Sequence, residues 1–349
     1  MRPIPAAVTL KDIAEKSGVS ITTVSRILNN RESGIPIREE TRQRVMAVAA
    51  ELGYKPNLLA RGLRGSRSSL LGVIARDISD PFHIQVLRGI NDVATQRGYR
   101  LFLGHVDYQS DMAITYGSMF EQYHADGIIL IGDIEGDETA IEVLMAQHHF
   151  VVGVTDRTQR RQFPGVYIDN LLGSQLALDH LWNLGHRNII CVSYPHIEDG
   201  ALRVDLYRRY MQERGAGDMI QVFLTPQELE LSYQMGRQIF AGFNRPDRPT
   251  AIFAASDAIA IGLLQAAYQA GITVPDQVSI VGFDNLDITP FTIPPLTTIS
   301  QAGLEMGQIT ANLLLDMIEQ NRDRSEVEDV MLRPTLIIRQ STAPPPNLD

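Results

Sequence analysis

Cysteine is nearly absent from this sequence, and long apolar runs are absent altogether. The single cysteine, Cys191, excludes an intramolecular disulfide. The chain has no run of about 18 apolar residues, the length that a membrane-spanning helix requires. The N-terminus also lacks the apolar segment of a secretory signal peptide. These absences predict a cytoplasmic protein with no membrane partner.

Positive charge is scarce in the whole chain but concentrated at its N-terminus. The 349 residues, enough for two or three domains, carry a net charge of −10. Residues 1–68 hold 12 Lys and Arg against 6 Asp and Glu, a balance of +6, which leaves 19 against 35, a balance of −16, for the remainder. This division predicts an N-terminal head that attracts phosphate groups and a body that repels them.

Two short helices joined by a turn at Gly18 are predicted within the head. Ser20 is a favourable N-cap for the second helix, and Val24, Ile27 and Leu28 recur at the spacing of a buried stripe. The other face carries groups suited to reading DNA, namely Ile21, Thr22, Ser25, Arg26 and Asn29. This pattern favours a helix-turn-helix in the major groove, with Ser20 at its start. An ordinary helical hairpin with a polar surface is the alternative.

A third helix is predicted over residues 39–52, closed by Gly53 as a C-cap. The segment that follows, residues 56–69, starts with proline and includes Gly62, which disfavours helix. Its first part, residues 56–63, is only about two helical turns long and should be mostly unfolded on its own. The residues leave two interpretations of this segment open, a functional hinge and a plain interdomain linker.

Several strings of residues resemble one known family, in its order. The string VTLKDIAEKSGVSITTVSRILNN resembles the DNA-binding head of the lactose-repressor (LacI/GalR) family of bacterial transcription regulators, and DGIIL, LGHRNI, ASDAIAIG, PDQVSIVGFDN and PPLTTI resemble its effector domain. The match covers residues 8–342. It implies a helix-turn-helix head (8–55), a hinge segment and linker (56–69), an α/β periplasmic-binding-protein-like effector domain of two parallel-sheet lobes (70–342), and a tail (343–349).

The order of apolar and helical segments agrees with such an effector domain. From Leu70 onward short apolar runs alternate with helical periods, which predicts βαβ units and parallel sheets. The resemblance implies that the chain crosses between the lobes near Tyr167, Pro295 and Arg333. Lobe 1 is then expected at about 70–166 and 297–332, and lobe 2 at about 167–296 and 333–342.

The resemblance also implies how the protein meets DNA. In this family the hinge becomes helical when two subunits pair over bent DNA, and a leucine from each enters the minor groove. Leu63 stands at that leucine's place, and Asn57 and Arg61 are further expected DNA contacts. The expected assembly is a homodimer on a near-palindromic operator. A tetramer is not expected, because the tail after Thr342 has no leucine heptads.

Seven residues are expected to contact a small-molecule effector, mostly on loops at the carboxyl ends of strands: Phe82, Asp156, Arg203, Leu231, Ser256, Asp257 and Asp284. Arg203 and Asp284 resemble the family's effector-binding arginine and the acidic residue that holds ligand hydroxyls, and Phe82 offers an apolar face to a sugar ring. Structural roles remain open beside these. Ser256 or Asp257 would cap a helix. Phe82 would lie in the core, and Arg203 would form a surface ion pair.

Departures from the family fall in the expected pocket and not in the head. Leu206 follows Arg203 where the family often has glycine, Leu231 aligns with a Trp or Phe of many members, and Ser256 replaces a common Asn. The family resemblance and the polar groups of the pocket make a sugar the first expectation for the effector, with a purine, a sugar phosphate or a phosphoprotein co-repressor as alternatives. The negative charge of the body argues against an anionic ligand, unless a local cluster of positive charge around Arg203 reverses the sign of the charge there.

Enzymatic and transport functions receive little support. Motifs for dinucleotides, phosphates and nucleophilic serine are absent, and neither a cofactor nor a metal is expected. Asp257 and Asp284 could form the acid/base pair of a glycosidase, but carboxylates that bind hydroxyls look the same in sequence. A transport binding protein would have no use for the basic head. His186 and Arg187 are expected to place two cations at a helix end after Gly185. The sequence predicts a repressor, not an enzyme.

Overall fold

The structure is a computed structural model that describes residues 8–28, 36–54, 67–107, 109–132, 138–154, 163–195, 198–243 and 248–346. The chain divides into two units, Met1–Ser68 and Ser69–Asp349. None of the described helices combines the length and apolarity that a bilayer crossing needs.

The head contains three described helices: α1 (Leu10–Ser17), α2 (Ile21–Leu28) and α3 (Glu39–Glu51). Thr9 and Asp12 form a capping box at the start of α1, which ends at Gly18 with φ 67°. The hydroxyl of Ser20 accepts from the backbone N–H of Thr23 at 3.1 Å, so Ser20 caps α2 as predicted. One apolar cluster joins the three helices, with these buried members: Ile13, Ala14, Val24, Ile27, Val45 and Ala49.

The described part of the larger unit contains twelve strands: β1 (Leu70–Ala75), β2 (Arg100–His105), β3 (Gly127–Ile131), β4 (Val151–Val154), β5 (Gly165–Ile168), β6 (Ile189–Ser193), β7 (Val222–Leu224), β8 (Ala251–Ala254), β9 (Ser279–Asp284), β10 (Thr297–Ser300), β11 (Val330–Leu332) and β12 (Thr335–Ile337). Its helices are α4 (Pro81–Gln96), α5 (Ser110–Gln122), α6 (Glu138–Gln147), α7 (Asn170–Asn183), α8 (Glu198–Glu213), α9 (Leu229–Phe240), α10 (Asp257–Gln269) and α11 (Gly303–Gln320). Short 3₁₀ helices lie at Gly217–Met219, Thr289–Phe291 and Arg324–Glu326.

The strands form two six-stranded sheets, with the orders β11-β5-β4-β3-β1-β2 and β12-β10-β9-β8-β6-β7. Every pairing is parallel except that of β10 with β12. Central strands such as β3 and β9 are buried along their whole length, as sheets covered by helices on both faces require. The predicted fold class, a helical head and an effector domain of two parallel-sheet lobes, is confirmed.

The chain crosses between the lobes after Ile168, after Ser300 and between Leu332 and Thr335. The crossing expected near Pro295 is therefore misplaced. Strand β10 stays in the second sheet up to Ser300, which pairs with Asp284 of β9. The segment just after the expected crossing thus forms a strand of lobe 2, and α11 is the first element to return to lobe 1.

Candidate DNA-binding face and effector site

Helix α2 carries four of the residues predicted to read DNA, Ile21, Thr22, Ser25 and Arg26. Val24 and Ile27 are buried in the head, whereas Ile21 is 46% exposed. Thr22 is also exposed, and Ser25 and Arg26 are partly exposed. The other expected DNA contacts lie outside the described residues: Asn29, Asn57, Arg61 and Leu63. The exposed groups of α2 combine a methyl-bearing tip with hydrogen-bonding side chains, which suits base edges in a major groove.

A small polar cavity, here called the inner cavity, lies between the lobes of the larger unit. Its volume is about 20 Å³, room for about one water molecule. Both lobes line it, with Arg76, Asp80, Phe82, His83, Tyr194, Asp199, Arg203, Gln227, Ser256, Asp284 and Gln301. Four of the seven residues expected to contact the effector thus meet around one space. They are Phe82, Arg203, Ser256 and Asp284.

A larger space, the outer cavity, adjoins the inner one and shares Asp80, Tyr194 and Gln227 with it. Its volume is about 1140 Å³. Its other lining residues are Asp77, Ser79, Pro81, Ile84, Gln85, Arg88, His105, Asp107, Pro195, Pro226, Glu228, Leu229, Ala258, Ile261, Leu286, Asp287 and Ile288. Drug-sized ligands occupy cavities of this order, so the two spaces together can hold a small molecule.

Arg203 on α8 is a buried positioned cation and not a surface ion pair. Its side chain is 2% exposed, and its guanidinium stacks 3.7 Å above the ring of Phe283. Nε and Nη2 donate to Oδ1 of Asn170 at 3.1 and 2.9 Å, and Nη1 donates to the carbonyl of Ala255. Burial opposes the charge, but Tyr194 and nearby carboxylates raise the pKa of Arg203 above its usual value. The guanidinium therefore stays charged at the cavity wall.

Asp284 ends β9 in an unusual backbone conformation. Its φ is 123°, and that of Asn285 is 55°. This turn lets the Asp284 carboxylate line the inner cavity while Oδ1 accepts from Nε2 of Gln301 at 2.5 Å. Gln301 follows directly after β10, where the chain leaves lobe 2. Asp284, which lines the inner cavity, is thus hydrogen-bonded to a residue at a crossing between the lobes.

Asp257 does not line either cavity. It is fully buried at the start of α10, where Oδ1 accepts from the hydroxyl of Thr298 at 2.6 Å and Oδ2 from the backbone N–H of Leu286 at 2.9 Å. These bonds give it a structural role in holding the turn after β9. Ser256 caps α10, because its hydroxyl accepts from the N–H of Ile259 at 3.3 Å, and it also lines the inner cavity.

The remaining expected effector contacts differ in their position. Phe82 is both a core residue, 4% exposed, and a wall of the inner cavity. Leu231 lies on α9 and lines neither cavity, whereas Leu229, two residues earlier, lines the outer one. Asp156 lies outside the described residues. Leu231, which aligns with a stacking aromatic residue of the family, is therefore not part of the wall of either cavity.

Sequence reasoning missed several groups that line or support the inner cavity. Asn170 accepts from Arg203 and donates to Oδ1 of Asp199 at 2.7 Å. Asp80 lines both cavities and accepts from the N–H of Phe82 at 2.8 Å as the N-cap of α4. Asn170 lies two residues after the end of β5, at a crossing between the lobes, and this position in the sequence could have marked it as a candidate site residue.

His186 is a neutral structural residue and not a cation at a helix end. It is fully buried, and Nε2 donates to the carbonyl of Ala343 at 2.8 Å while Nδ1 lies 2.9 Å from the hydroxyl of Thr250. Burial lowers the pKa of His186. Arg187 does serve the end of α7, since Nη1 donates to the carbonyl of Trp182 at 2.9 Å.

The sequence matches two families in the regions that form the two units. Residues 9–57 match the bacterial regulatory proteins of the lacI family, and residues 178–342 match the periplasmic binding protein-like domain. The HTH-type transcriptional regulator DegA of Bacillus subtilis (strain 168) is 35% identical over 344 residues, which cover 96% of this chain and 98% of DegA. The HTH-type transcriptional repressor CytR of Escherichia coli (strain K12) is 33% identical over 341 residues, 96% of each chain.

Solved structures show the same relationship. The lac repressor dimer bound to operator and the anti-inducer ONPF matches with a TM-score of 0.84 and 26% identity, over 97% of this chain and 99% of that chain. A LacI family transcriptional regulator from Enterococcus faecium with bound ribose matches with a TM-score of 0.70 and 29% identity, over 79% of this chain and 99% of that one. This chain therefore belongs to the lacI family of bacterial regulatory proteins and is a DNA-binding transcription regulator.

Proposed function

We propose that this regulator is a homodimeric repressor whose affinity for a near-palindromic operator is switched by a sugar bound between the two lobes. One observation carries the effector part of this proposal. Polar side chains from both lobes converge on one cavity and combine carboxylate acceptors with the donor fork of Arg203. This is the combination that vicinal hydroxyls need, because each hydroxyl both donates and accepts.

The DNA part rests on α2 and on the charge of the head. Ile21 and Thr22, both exposed, would contact base edges, while Ser20 fixes the start of the helix. The surplus of positive charge in residues 1–68 would add contacts to phosphates. From the family resemblance we propose that Leu63 enters the minor groove at the operator centre.

The switch would be a population shift between two arrangements of the lobes. An effector that contacts Asp284 and Arg203 in lobe 2 and Phe82 in lobe 1 binds best to one separation of the lobes. The hydrogen bond from Gln301 to Asp284 connects the inner cavity to a crossing segment. Ligand contact at Asp284 would therefore act on the segment that joins the lobes. By linkage, the operator must change effector affinity by the same factor.

A thermal-shift measurement on the full chain with neutral sugars tests the effector part. A sugar at 100 times its Kd raises the free energy of unfolding by about 2.7 kcal/mol. Asp284→Asn should reduce the shift, whereas Asp218→Asn, an exposed aspartate outside the cavities, should not. Equal shifts in both variants would refute the site. Operator binding measured with and without the active sugar should differ, and unchanged binding would refute the switch.

A further inference from the structure

We infer that the effector of this regulator is an uncharged hydroxyl-bearing molecule and that phosphate esters and other anions are excluded from the cavities. The inference rests on the proposed function, because it concerns the ligand of the same site. It is carried by three observations on the cavity walls: the balance of charge, the engagement of Arg88 and Arg203, and the occupation of two helix N-termini.

The charged residues that line the outer cavity are mainly acidic. Its carboxylates are Asp77, Asp80, Asp107, Glu228 and Asp287. Arg88 is the one guanidinium among these lining residues, and it is already paired with Asp287, Nη1 to Oδ2, at 2.8 Å. An anion that enters between the lobes therefore meets an excess of carboxylates and no unpaired guanidinium on these walls.

The inner cavity does not restore the balance. Beside the shared Asp80, it adds Arg76 and Arg203 against Asp199 and Asp284. The carboxylates of the two cavities together still outnumber the guanidinium groups when Asp284 is left out of the count, since burial raises the pKa of Asp284. The fork of Arg203 is held by Asn170 and by the Ala255 carbonyl, and the cavity that Arg203 lines has room for about one water. That space admits a hydroxyl more readily than a phosphate.

Two of the helix N-termini at the cavities, those of α4 and α10, are already occupied. Such termini are the usual protein sites for phosphate. At the start of α4, however, Asp80 accepts from the N–H of Phe82 at 2.8 Å. At the start of α10, Ser256 accepts from the N–H of Ile259, and Asp284 accepts from the N–H of Asp257. At these two helix starts the chain's own oxygens thus take the positions that a phosphate oxygen would need.

Hydroxyl groups meet none of these obstacles. A hydroxyl donates to a carboxylate and accepts from a guanidinium without bringing a charge into the cleft. A phosphate at the same place would be repelled by carboxylates in a medium of reduced dielectric constant. The walls therefore select between two ligands that share a sugar ring and differ only in a phosphate.

Matched pairs of probes test this selection on the full chain: ribose with ribose 5-phosphate, glucose with glucose 6-phosphate, and cytidine with cytidine monophosphate. We expect the neutral member of one pair to raise the melting temperature and its phosphorylated partner to bind at least about tenfold more weakly. A phosphorylated member that binds as tightly or more tightly would overturn the inference and leave the proposed effector site standing. No shift with any member would overturn the proposed function and this inference with it.

A variant separates the charge of the walls from their shape. Asp287→Asn keeps the volume and releases Arg88 from its ion pair, so affinity for the phosphorylated member should rise while affinity for the neutral member changes little. Asp218→Asn removes the same charge at a residue that lines neither cavity and should leave the ratio of the two affinities unchanged. An unchanged ratio in Asp287→Asn as well would overturn the electrostatic explanation.

Discussion

The backbone N–H of Asp257 donates to Oδ2 of Asp284 over 3.4 Å, so two buried aspartates lie against each other behind the inner cavity. Burial raises the pKa of Asp257 to about 7, and burial together with the charge of Asp257 raises the pKa of Asp284. Both shifts have the same direction because two adjacent buried negative charges are unfavourable.

Replacing Asp257 by asparagine should change the pH dependence of stability. The native pKa of the pair lies above the unfolded value of about 3.9, so the pair stabilises the native state most below about pH 4 and loses that contribution as the pH rises toward 7. The asparagine side chain does not titrate. The melting temperature of the wild type relative to Asp257→Asn should therefore fall from about pH 5 to about pH 8. A difference that stays constant over this range would contradict the assignment.

Replacing His186 by leucine should have the opposite pH dependence. The change removes the hydrogen bonds that His186 makes with the Ala343 carbonyl and the Thr250 hydroxyl, which should cost about 1–3 kcal/mol at about pH 8. Because burial lowers the pKa of His186, its contribution is present above the unfolded value of about 6.5 and is lost on acidification. Urea unfolding at about pH 8 and about pH 5.5 should show the wild type's advantage shrinking at the lower pH. An advantage that grows on acidification would show that His186 is charged in the native state.

Much of the fold could be predicted because its signals are local. Short apolar runs between helical periods identified parallel strands such as β1 and β3, since buried strands of this kind are apolar throughout. The sheet to which a strand belongs is not a local property. Thr297–Ser300 has the composition of any short strand, and only its pairing with β9 assigns it to lobe 2.

The candidate site could be predicted in part for the same reason. Arg203 and Asp284 follow strands, so parallel topology alone brings them to one edge. Asp257 has the same kind of position, but its carboxylate turns toward Thr298 and Leu286, a choice set by tertiary hydrogen bonds. Gln301 was missed because it reaches the cavity from a segment that carries no motif.

Helices α4 and α11 pack so closely that a methyl group at Gly89 should destabilise lobe 1. A Cβ there would lie 2.1 Å from the carbonyl oxygen of Leu304 and 2.9 Å from the backbone nitrogen of Gln308. Backbone atoms cannot move aside as a flexible side chain does, so Gly89→Ala should cost about 1–3 kcal/mol. Urea unfolding measures this loss. Gly217→Ala is the matched control, since the nearest atom to its Cβ lies at 3.8 Å. Equal stabilities of the two variants would contradict the close packing.

Two substitutions on α2 should separate DNA reading from folding of the head. Ile21 is 46% exposed and Val24 fully buried. Ile21→Ala should leave thermal unfolding within about 0.5 kcal/mol of the wild type, whereas Val24→Ala should cost about 2 kcal/mol from lost burial and the cavity left behind.

The DNA readout should use an operator that the wild-type chain selects from a random-sequence library. Ile21→Ala should weaken binding to that operator by about 1–3 kcal/mol and should select a changed base pair, because a direct contact specifies sequence. Val24→Ala should weaken binding without changing the selected sequence, because it acts through the fold of the head. If Ile21→Ala selected the wild-type sequence, Ile21 would not read a base, and the face of α2 that meets the groove would have to be reassigned.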